Sequence, residues 1–174
     1  MIKSYLDYKE YIKADYLANK LNRNGAIVSI TWKYLLCLRR LELYTNTGST
    51  IRKYLFRILL RHYSIKTGIT IPVNTFGKGL YIPHYGCIVV NGSARFGENC
   101  VVQCGVNISE DVSGGDNIYL GAGCKLVIGV RIADYVIIGA NAVVTKSIEE
   151  SNTVWGGIPA TKISSNGFKD REIV

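Results

Sequence analysis

The sequence predicts a mainly β protein in which a parallel β-helix, a chain wound into stacked triangular coils, follows a short α-helical region. Three observations lead to this prediction: aliphatic residues recur every six positions, the chain has 18 Gly but 3 Pro, and a helical hydrophobic period is confined to the first part of the chain. The 174 residues are 48% apolar. That length suits one domain with a buried core, and the composition excludes a disordered chain.

The six-residue period is clearest in the second half of the chain. One aliphatic series is Leu120, Leu126, Ile132, Ile138 and Val144, and a second lies two residues earlier, at Ile118, Cys124, Val130, Val136 and Ala142. Shorter runs of the same spacing are Phe76, Ile82, Ile88 and Phe96, Val102, Ile108. A period of six fits neither a helix nor simple alternation, and it favours a coil with three flat sides whose aliphatic residues point inward. Gly97, Gly139 and Asn141 are expected at corners that need a left-handed backbone.

The first 66 residues differ in period and in charge. Apolar residues recur there at helical spacing, in one set at Tyr5, Tyr8, Ile12, Tyr16 and Leu17 and in another at Ile51, Tyr54, Leu55, Ile58 and Leu59. Residues 1–66 hold thirteen Lys/Arg and four Asp/Glu, whereas residues 67–174 hold eight and nine, so the excess of +8 lies entirely in the first region. We therefore predict a basic helical region over 1–66, a β-helix over 67–163 and a C-terminal tail over 164–174.

Three hypotheses account for the basic N-terminal region. It could cap the open end of the coil, face an anionic acceptor, or make peripheral contact with an anionic membrane surface. The side chains considered for the membrane contact are Arg39, Arg40, Arg52, Lys53, Arg57 and Arg61. Nucleic acid is not an expected partner, because the sequence contains no recognised nucleic-acid-binding module.

The sequence predicts a cytoplasmic protein with reduced thiols. Met1 to Lys20 is dotted with charges and lacks the apolar core of a signal peptide, and no uncharged apolar stretch is long enough to span a bilayer. The five cysteines are odd in number and lack CxxC spacing.

Several motifs resemble those of a known family. Gly79-Leu-Tyr-Ile-Pro-His84-Tyr-Gly86, Ile88-Val-Val and Ala94-Arg-Phe-Gly97 resemble the first coils of serine acetyltransferases, and more closely those of their relatives in bacterial capsule and exopolysaccharide gene clusters. Leu120 to Leu126 and Ile138 to Val144 resemble later coils of the family, and Gly156 to Ala160 its closing loop. The resemblance spans about residues 70–163. It implies a left-handed β-helix, a homotrimer with active sites between subunits, and acetyl transfer from acetyl-CoA to a hydroxyl.

The same resemblance implies site residues. His84 stands at the motif position of the catalytic base, and an imidazole suits that role because its pKa lies near working pH. For acetyl-CoA, Ala122 and Ala140 match small residues beside the pantetheine arm, Gly157 lies in the closing loop, and Lys146 and Lys162 could meet the phosphates. Inward packing of the alanines and simple exposure of the lysines are the alternatives. No metal is expected, since His62 and His84 are the only histidines.

The chain also departs from serine acetyltransferases. Ile69 and Pro83 stand where those enzymes carry aspartates, and their second active-site histidine has no counterpart after Gly115-Asp116. We therefore expect a saccharide hydroxyl as acceptor; the alternatives are L-serine, an amine, or a scaffold without catalysis. A backbone carbonyl is the first candidate to orient His84, followed by the carboxylates of Asp111, Asp116 and Glu98, and the backbone N–H of Gly86 or Gly105 could stabilise an oxyanion.

Overall fold

The structure is a computed structural model that describes residues 1–170. Four α-helices come first: α1 (Tyr5–Ala18), α2 (Arg23–Val28), α3 (Ile30–Asn46) and α4 (Thr50–Thr67). Ser4 and Asp7 form a capping box at the start of α1, and the Ser29 hydroxyl caps α3. The C-cap of the last helix is Gly68, which adopts a left-handed conformation. None of these helices is long and apolar enough to cross a membrane.

The chain then winds into a coil of very short strands. These are β1 (Ile69–Thr70), β2 (Ile88–Val90), β3 (Arg95–Phe96), β4 (Val101–Val102), β5 (Asn107–Ile108), β6 (Ser113–Gly114), β7 (Tyr119–Leu120), β8 (Lys125–Leu126), β9 (Arg131–Ile132), β10 (Ile137–Ile138), β11 (Val143–Val144), β12 (Val154–Gly156) and β13 (Thr161–Ser164). A short 3₁₀-helix, Phe168–Asp170, follows. The predicted tail extends to residue 174, and its last four residues lie outside the described part of the chain.

The strands stack into the three sides of a triangular prism. One side is β1-β2-β5-β8-β11, the second is β3-β6-β9, and the third is β4-β7-β10-β12, to which β13 adds an antiparallel edge. Parallel partners such as Asn107, Lys125 and Val143 are eighteen residues apart. Eighteen residues make three sides of six, so the period in the sequence corresponds to one side of the coil. The predicted left-handed β-helix preceded by helices is confirmed.

The predicted inward residues form the core of the prism. Every member of both six-residue series is buried, as are the earlier runs from Phe76 and Phe96. Trp32, Leu35 and Leu38 of α3 belong to the same core cluster as Ile69 of the first coil. The helices therefore continue the apolar core at the end where the coil would otherwise expose it.

Corner positions were only partly predicted. The left-handed residues of one corner are Gly68, Cys87, Gly105, Gly123 and Asn141, stacked in successive coils. The expectation for Gly97 and Gly139 was wrong, because neither has a positive φ. Space requires glycine at 97 instead, because a Cβ there would lie 2.8 Å from a backbone carbonyl oxygen of the next coil, whereas a Cβ on Gly139 would make only a tight contact, 3.3 Å from another carbonyl oxygen.

A buried ionic cluster links the helices to the first coil through ion pairs and hydrogen bonds. The Arg39 guanidinium of α3 lies 2.8 Å from the Asp15 carboxylate of α1 and 2.9 Å from that of Glu42. It also donates to the carbonyl oxygens of Phe76 and Gly77 in the first coil. Burial lowers the pKa of Arg39, but the two carboxylates outweigh that effect and raise the pKa above its ordinary value. Arg39 is therefore charged but fully buried, so the expectation that it contacts a membrane surface is wrong for this residue.

Candidate active site

His84 lies in a corner of the first coil that is longer than the corners stacked beneath it. Three residues, Pro83 to Tyr85, separate Ile82 from Gly86, whereas Gln103 alone occupies the equivalent place in the next coil. The two extra residues make the corner protrude, and His84 and Tyr85 are exposed. The local sequence thus keeps the imidazole outside the core that the neighbouring isoleucines build.

The helical region holds the segment that leads into this corner. Asp15 Oδ1 accepts hydrogen bonds from the backbone N–H groups of Gly79 and Leu80, at 2.8 and 2.9 Å. The Asn19 side chain donates to the Leu80 carbonyl at 2.8 Å and accepts from the Ile82 N–H at 3.3 Å. Polar groups of α1 and its C-cap therefore fix the backbone two residues before His84.

A cavity of about 500 Å³ opens beside His84. One wall is the α2–α3 junction, residues 28–31, and the other is the protruding corner, residues 83–85. The hydroxyls of Ser29 and Thr31 lie 2.9 Å apart on the helical wall. Apart from the imidazole, the lining holds no ionisable group except the Tyr85 phenol, so the cavity offers hydroxyls and apolar surface rather than charge.

Small residues follow the same edge of the prism beneath His84. Cys104, Ala122 and Ala140 occupy this corner in the second, third and fourth coils, joined by hydrogen bonds such as Gly123 N–H to Cys104 O at 2.9 Å and Asn141 N–H to Ala122 O at 2.8 Å. Gly157 closes the edge, and its carbonyl accepts from Val143 N–H. With about 4.8 Å between coils, Ala140 lies roughly 14 Å below His84. The structure thus aligns four of the sequence-predicted residues.

The alternative of inward packing is wrong for the two alanines. Ala122 is half-buried and Ala140 is exposed, and the inward positions of their corners are taken by Cys124 and Ala142. Their small side chains leave this edge of the prism flat.

The two predicted lysines are not brought to this edge in a single chain. Lys146 is exposed at another corner, between β11 and the bridge residue Ile148. Lys162 lies in β13, where its ammonium is 2.6 Å from the Glu150 carboxylate. A phosphate-binding role for Lys162 would have to compete with this ion pair.

The carboxylates considered for orienting the imidazole lie at other corners. The Asp116 carboxylate accepts a hydrogen bond from the Glu98 backbone N–H at 2.7 Å. The Glu98 carboxylate lies 3.7 Å from the Lys78 ammonium, and Asp111 is an exposed corner residue. Within residues 1–170 of one chain, no group, including a backbone carbonyl, forms a hydrogen bond with the His84 ring. The orienting group predicted from the sequence is therefore absent from this part of a single chain.

Of the two N–H groups predicted to stabilise an oxyanion, one is engaged. Gly105 N–H donates to Gly86 O at 2.9 Å, whereas Gly86 N–H has no acceptor among the described residues. Gly86 is thus the better placed donor, two residues from His84.

Sequence reasoning missed one polar pair in the coils beneath the His84 corner. Gln103, directly below the protruding corner, donates its side-chain amide to the Tyr119 hydroxyl at 3.1 Å. A clue was present, because the equivalent positions in the next two coils are Gly121 and Gly139, and an amide replaces glycine only here. No group of three or more His, Cys, Asp or Glu side chains in residues 1–170 could hold a metal ion.

The triangular coil, its inward aliphatic ladder and a single exposed imidazole at a corner define a hexapeptide-repeat β-helix protein. A curated serine acetyltransferase from Staphylococcus xylosus is 31% identical over 152 residues, which are 80% of this chain and 65% of that protein. One from Staphylococcus aureus is 32% identical over 114 residues, 59% of this chain and 52% of that protein. The chain thus spans between half and two thirds of the length of these relatives. No family model matches the sequence.

Solved structures agree on the fold. The Brucella abortus serine acetyltransferase in complex with coenzyme A superposes with a TM-score of 0.76 at 21% identity, covering 94% of this chain and 70% of that one. The Neisseria gonorrhoeae serine acetyltransferase in complex with serine gives a TM-score of 0.74 at 20% identity, with coverages of 92% and 71%. Sequence and fold together place this chain in the serine acetyltransferase-like family of hexapeptide-repeat proteins.

Proposed function

We propose that this protein is an acetyl-CoA-dependent O-acetyltransferase in which His84 is the general base. The observation that carries the proposal is the position of His84, exposed at a protruding corner beside a cavity and in line with an edge of small residues. The curated relatives are serine acetyltransferases, and one solved neighbour is a complex with coenzyme A.

The proposed reaction is the attack of an acceptor hydroxyl on the thioester carbonyl. The His84 imidazole takes the hydroxyl proton as the oxygen–carbon bond forms. The carbonyl oxygen gains negative charge, and the proposed donor that stabilises it is the Gly86 N–H, which has no acceptor among the described residues. When the carbon–sulfur bond breaks, the imidazolium returns the proton to the leaving sulfur, so that an ester and free CoA result.

Acetyl-CoA is proposed to lie along the edge formed by Ala122, Ala140 and Gly157. A flat edge lets an extended pantetheine arm approach the backbone closely, and a larger side chain there would obstruct it. Lys146 is a candidate for the phosphates only if it reaches the cofactor of a neighbouring chain. Lys162 is one only if its ion pair with Glu150 breaks or if it, too, serves a neighbouring chain.

L-Serine is the first acceptor to test, because the relatives carry that name and one neighbour is a complex with serine. They support it over the saccharide expected from the sequence and give no support for a role in polysaccharide biosynthesis. One observation still favours an uncharged acceptor as second candidate: no cation or carboxylate lines the cavity beside His84, so the charged groups of an amino acid would lack partners there within one chain.

A homotrimer with sites between subunits is part of the proposal. The His84 ring has no hydrogen-bond partner in residues 1–170 of its own chain, so a neighbouring copy is the natural source of an orienting group. We also retain the cytoplasm as the proposed location.

The test measures CoA release and ester formation with L-serine, nucleotide sugars and lipid-linked glycans side by side. His84→Ala should lower kcat by about 10²–10⁴-fold, with unchanged folding by circular dichroism. The matched control is His62→Ala, which removes the only other histidine of the sequence, an exposed residue of α4, and should keep full activity. Undiminished turnover of His84→Ala would refute the assigned base, and activity with serine alone would reject the saccharide.

A further inference from the structure

Helix α4 presents a second apolar face that nothing in the described chain covers. Its inner face packs on α3 and the core through residues such as Phe56, Leu60 and Tyr63. On the opposite side, five large apolar residues are exposed, and Ile51, Ile58 and Ile65 are 86%, 68% and 75% accessible. Tyr54 and Leu55 complete this set, which we call the outer face. At 100° per residue the five lie within an arc of about 100°.

Cations border the outer face on both sides. Arg57 and Arg61 flank one side of the arc, and Arg52 and Lys66 flank the other. The sequence of α4 contains these four and Lys53 but no Asp or Glu. None of the five lies within 4.0 Å of a carboxylate oxygen in residues 1–170. Their charge is therefore uncompensated at the surface.

The rest of the helical region does not neutralise this charge. Of its four carboxylates, Asp15 and Glu42 are buried on Arg39, which leaves Asp7 and Glu10 at the surface. The Arg57 guanidinium lies 5.8 Å from the Tyr54 ring centroid, so cation and apolar surface are contiguous.

We infer that the outer face of α4 docks this protein on an anionic lipid surface. An exposed apolar stripe with basic borders matches the interface of a bilayer, where apolar side chains enter the acyl boundary and cations meet phosphate head groups. A second copy that docks through its own outer face is the poorer occupant, because it would bring five more cations and no carboxylate to the contact. The inference concerns a surface distinct from the corner of His84 and does not depend on the acceptor.

The experiment measures sedimentation of the full chain with phosphatidylcholine vesicles that contain or lack phosphatidylglycerol. We expect binding only to the anionic vesicles, and weaker binding as salt rises. Arg57→Gln/Arg61→Gln should weaken it about thirtyfold, since each cation near such a surface contributes about a factor of five. Ile51→Ser/Ile58→Ser should weaken it by at least about tenfold.

The matched control is Ile128→Ser/Ile163→Ser, two isoleucines of the coil that are 65% and 68% exposed. It should bind as the parent does, and all variants should keep the parent's circular dichroism spectrum. Equal binding to both kinds of vesicle, or full binding by the outer-face variants, would overturn the inference. A third result would also overturn it: the parent chain does not bind vesicles, and its oligomeric state, measured by sedimentation velocity, is lost in Ile51→Ser/Ile58→Ser. The outer face would then be an interface between copies of the chain.

Discussion

Replacing Arg39 with leucine should destabilise the protein strongly. The guanidinium is fully buried and contacts five acceptor atoms on four residues: Asp15, Glu42, Phe76 and Gly77. Leucine fills part of the volume but supplies no donor. Two carboxylates that the structure keeps out of water would lose their cation.

The size of the effect follows from what remains after the substitution. Removing one partner of a buried ion pair costs about 3–5 kcal/mol, because the other charge stays buried without compensation. Asp15 keeps two backbone donors, Gly79 and Leu80, and Glu42 keeps the Asn74 N–H, which limits the loss. For a chain of this length each kcal/mol corresponds to roughly 2–4 °C, so the melting temperature should fall by about 6–20 °C.

Thermal and urea unfolding followed by circular dichroism would measure this change. Arg131→Leu is the matched control, since its guanidinium is exposed and lies 3.6 Å from the Glu149 carboxylate. Such a surface pair contributes less than about 1 kcal/mol. If Arg39→Leu and Arg131→Leu had the same melting temperature and free energy of unfolding, the buried cluster would not stabilise the junction between the helices and the coil.

Three further predictions follow from the coil. Burial raises the pKa of Cys124 to about 12, and also raises that of Cys100, above the ordinary value of 9.0. Above about pH 9 the unfolded chain therefore binds fewer protons than the folded one, so the free energy of unfolding should fall by about 1.4 kcal/mol per pH unit for each thiol. Cys100→Ala should remove the contribution of one thiol to this pH dependence, measured by urea unfolding at several pH values. An unchanged dependence on pH would contradict the assignment. Gly121→Ala places a Cβ 2.6 Å from a backbone carbonyl oxygen and should cost about 1–3 kcal/mol by thermal unfolding, whereas Gly92→Ala, with nothing within 4 Å, should leave stability unchanged. Ala140→Leu should raise the KM for acetyl-CoA without lowering the melting temperature, and an effect on the acceptor KM alone would place the cofactor elsewhere.

The coil could be predicted from the sequence because its contacts are local and periodic. Each inward residue such as Leu120 or Ile138 meets its equivalent eighteen residues away, so one rule for burial applies in every turn. The same repetition aligned His84, Ala122 and Ala140 along one edge, although the sequence alone did not show that they share it.

The helices were harder to predict because their contacts are neither local nor repeated. The stripe of Ile51, Tyr54 and Ile58 in α4 has the period of a buried face, yet it lies outside. The helix has two apolar faces, and the choice between them depends on where α3 lies. Likewise, nothing in the spacing of Asp15 and Arg39 predicts that they meet, since the contact forms only when α1 and α3 dock on the first coil.

The sequence by itself determined the triangular coil and its inward ladder, because a repeat of six leaves a stacked coil few other ways to bury its aliphatic residues. Only the tertiary structure decided which face of α4 lies outside the protein core, which charges are buried with Arg39, that His84 is exposed at a protruding corner, and that the described chain supplies no partner for its ring. Those outcomes depend on contacts between segments far apart in sequence, and the free energy of such contacts cannot be inferred from a local sequence pattern.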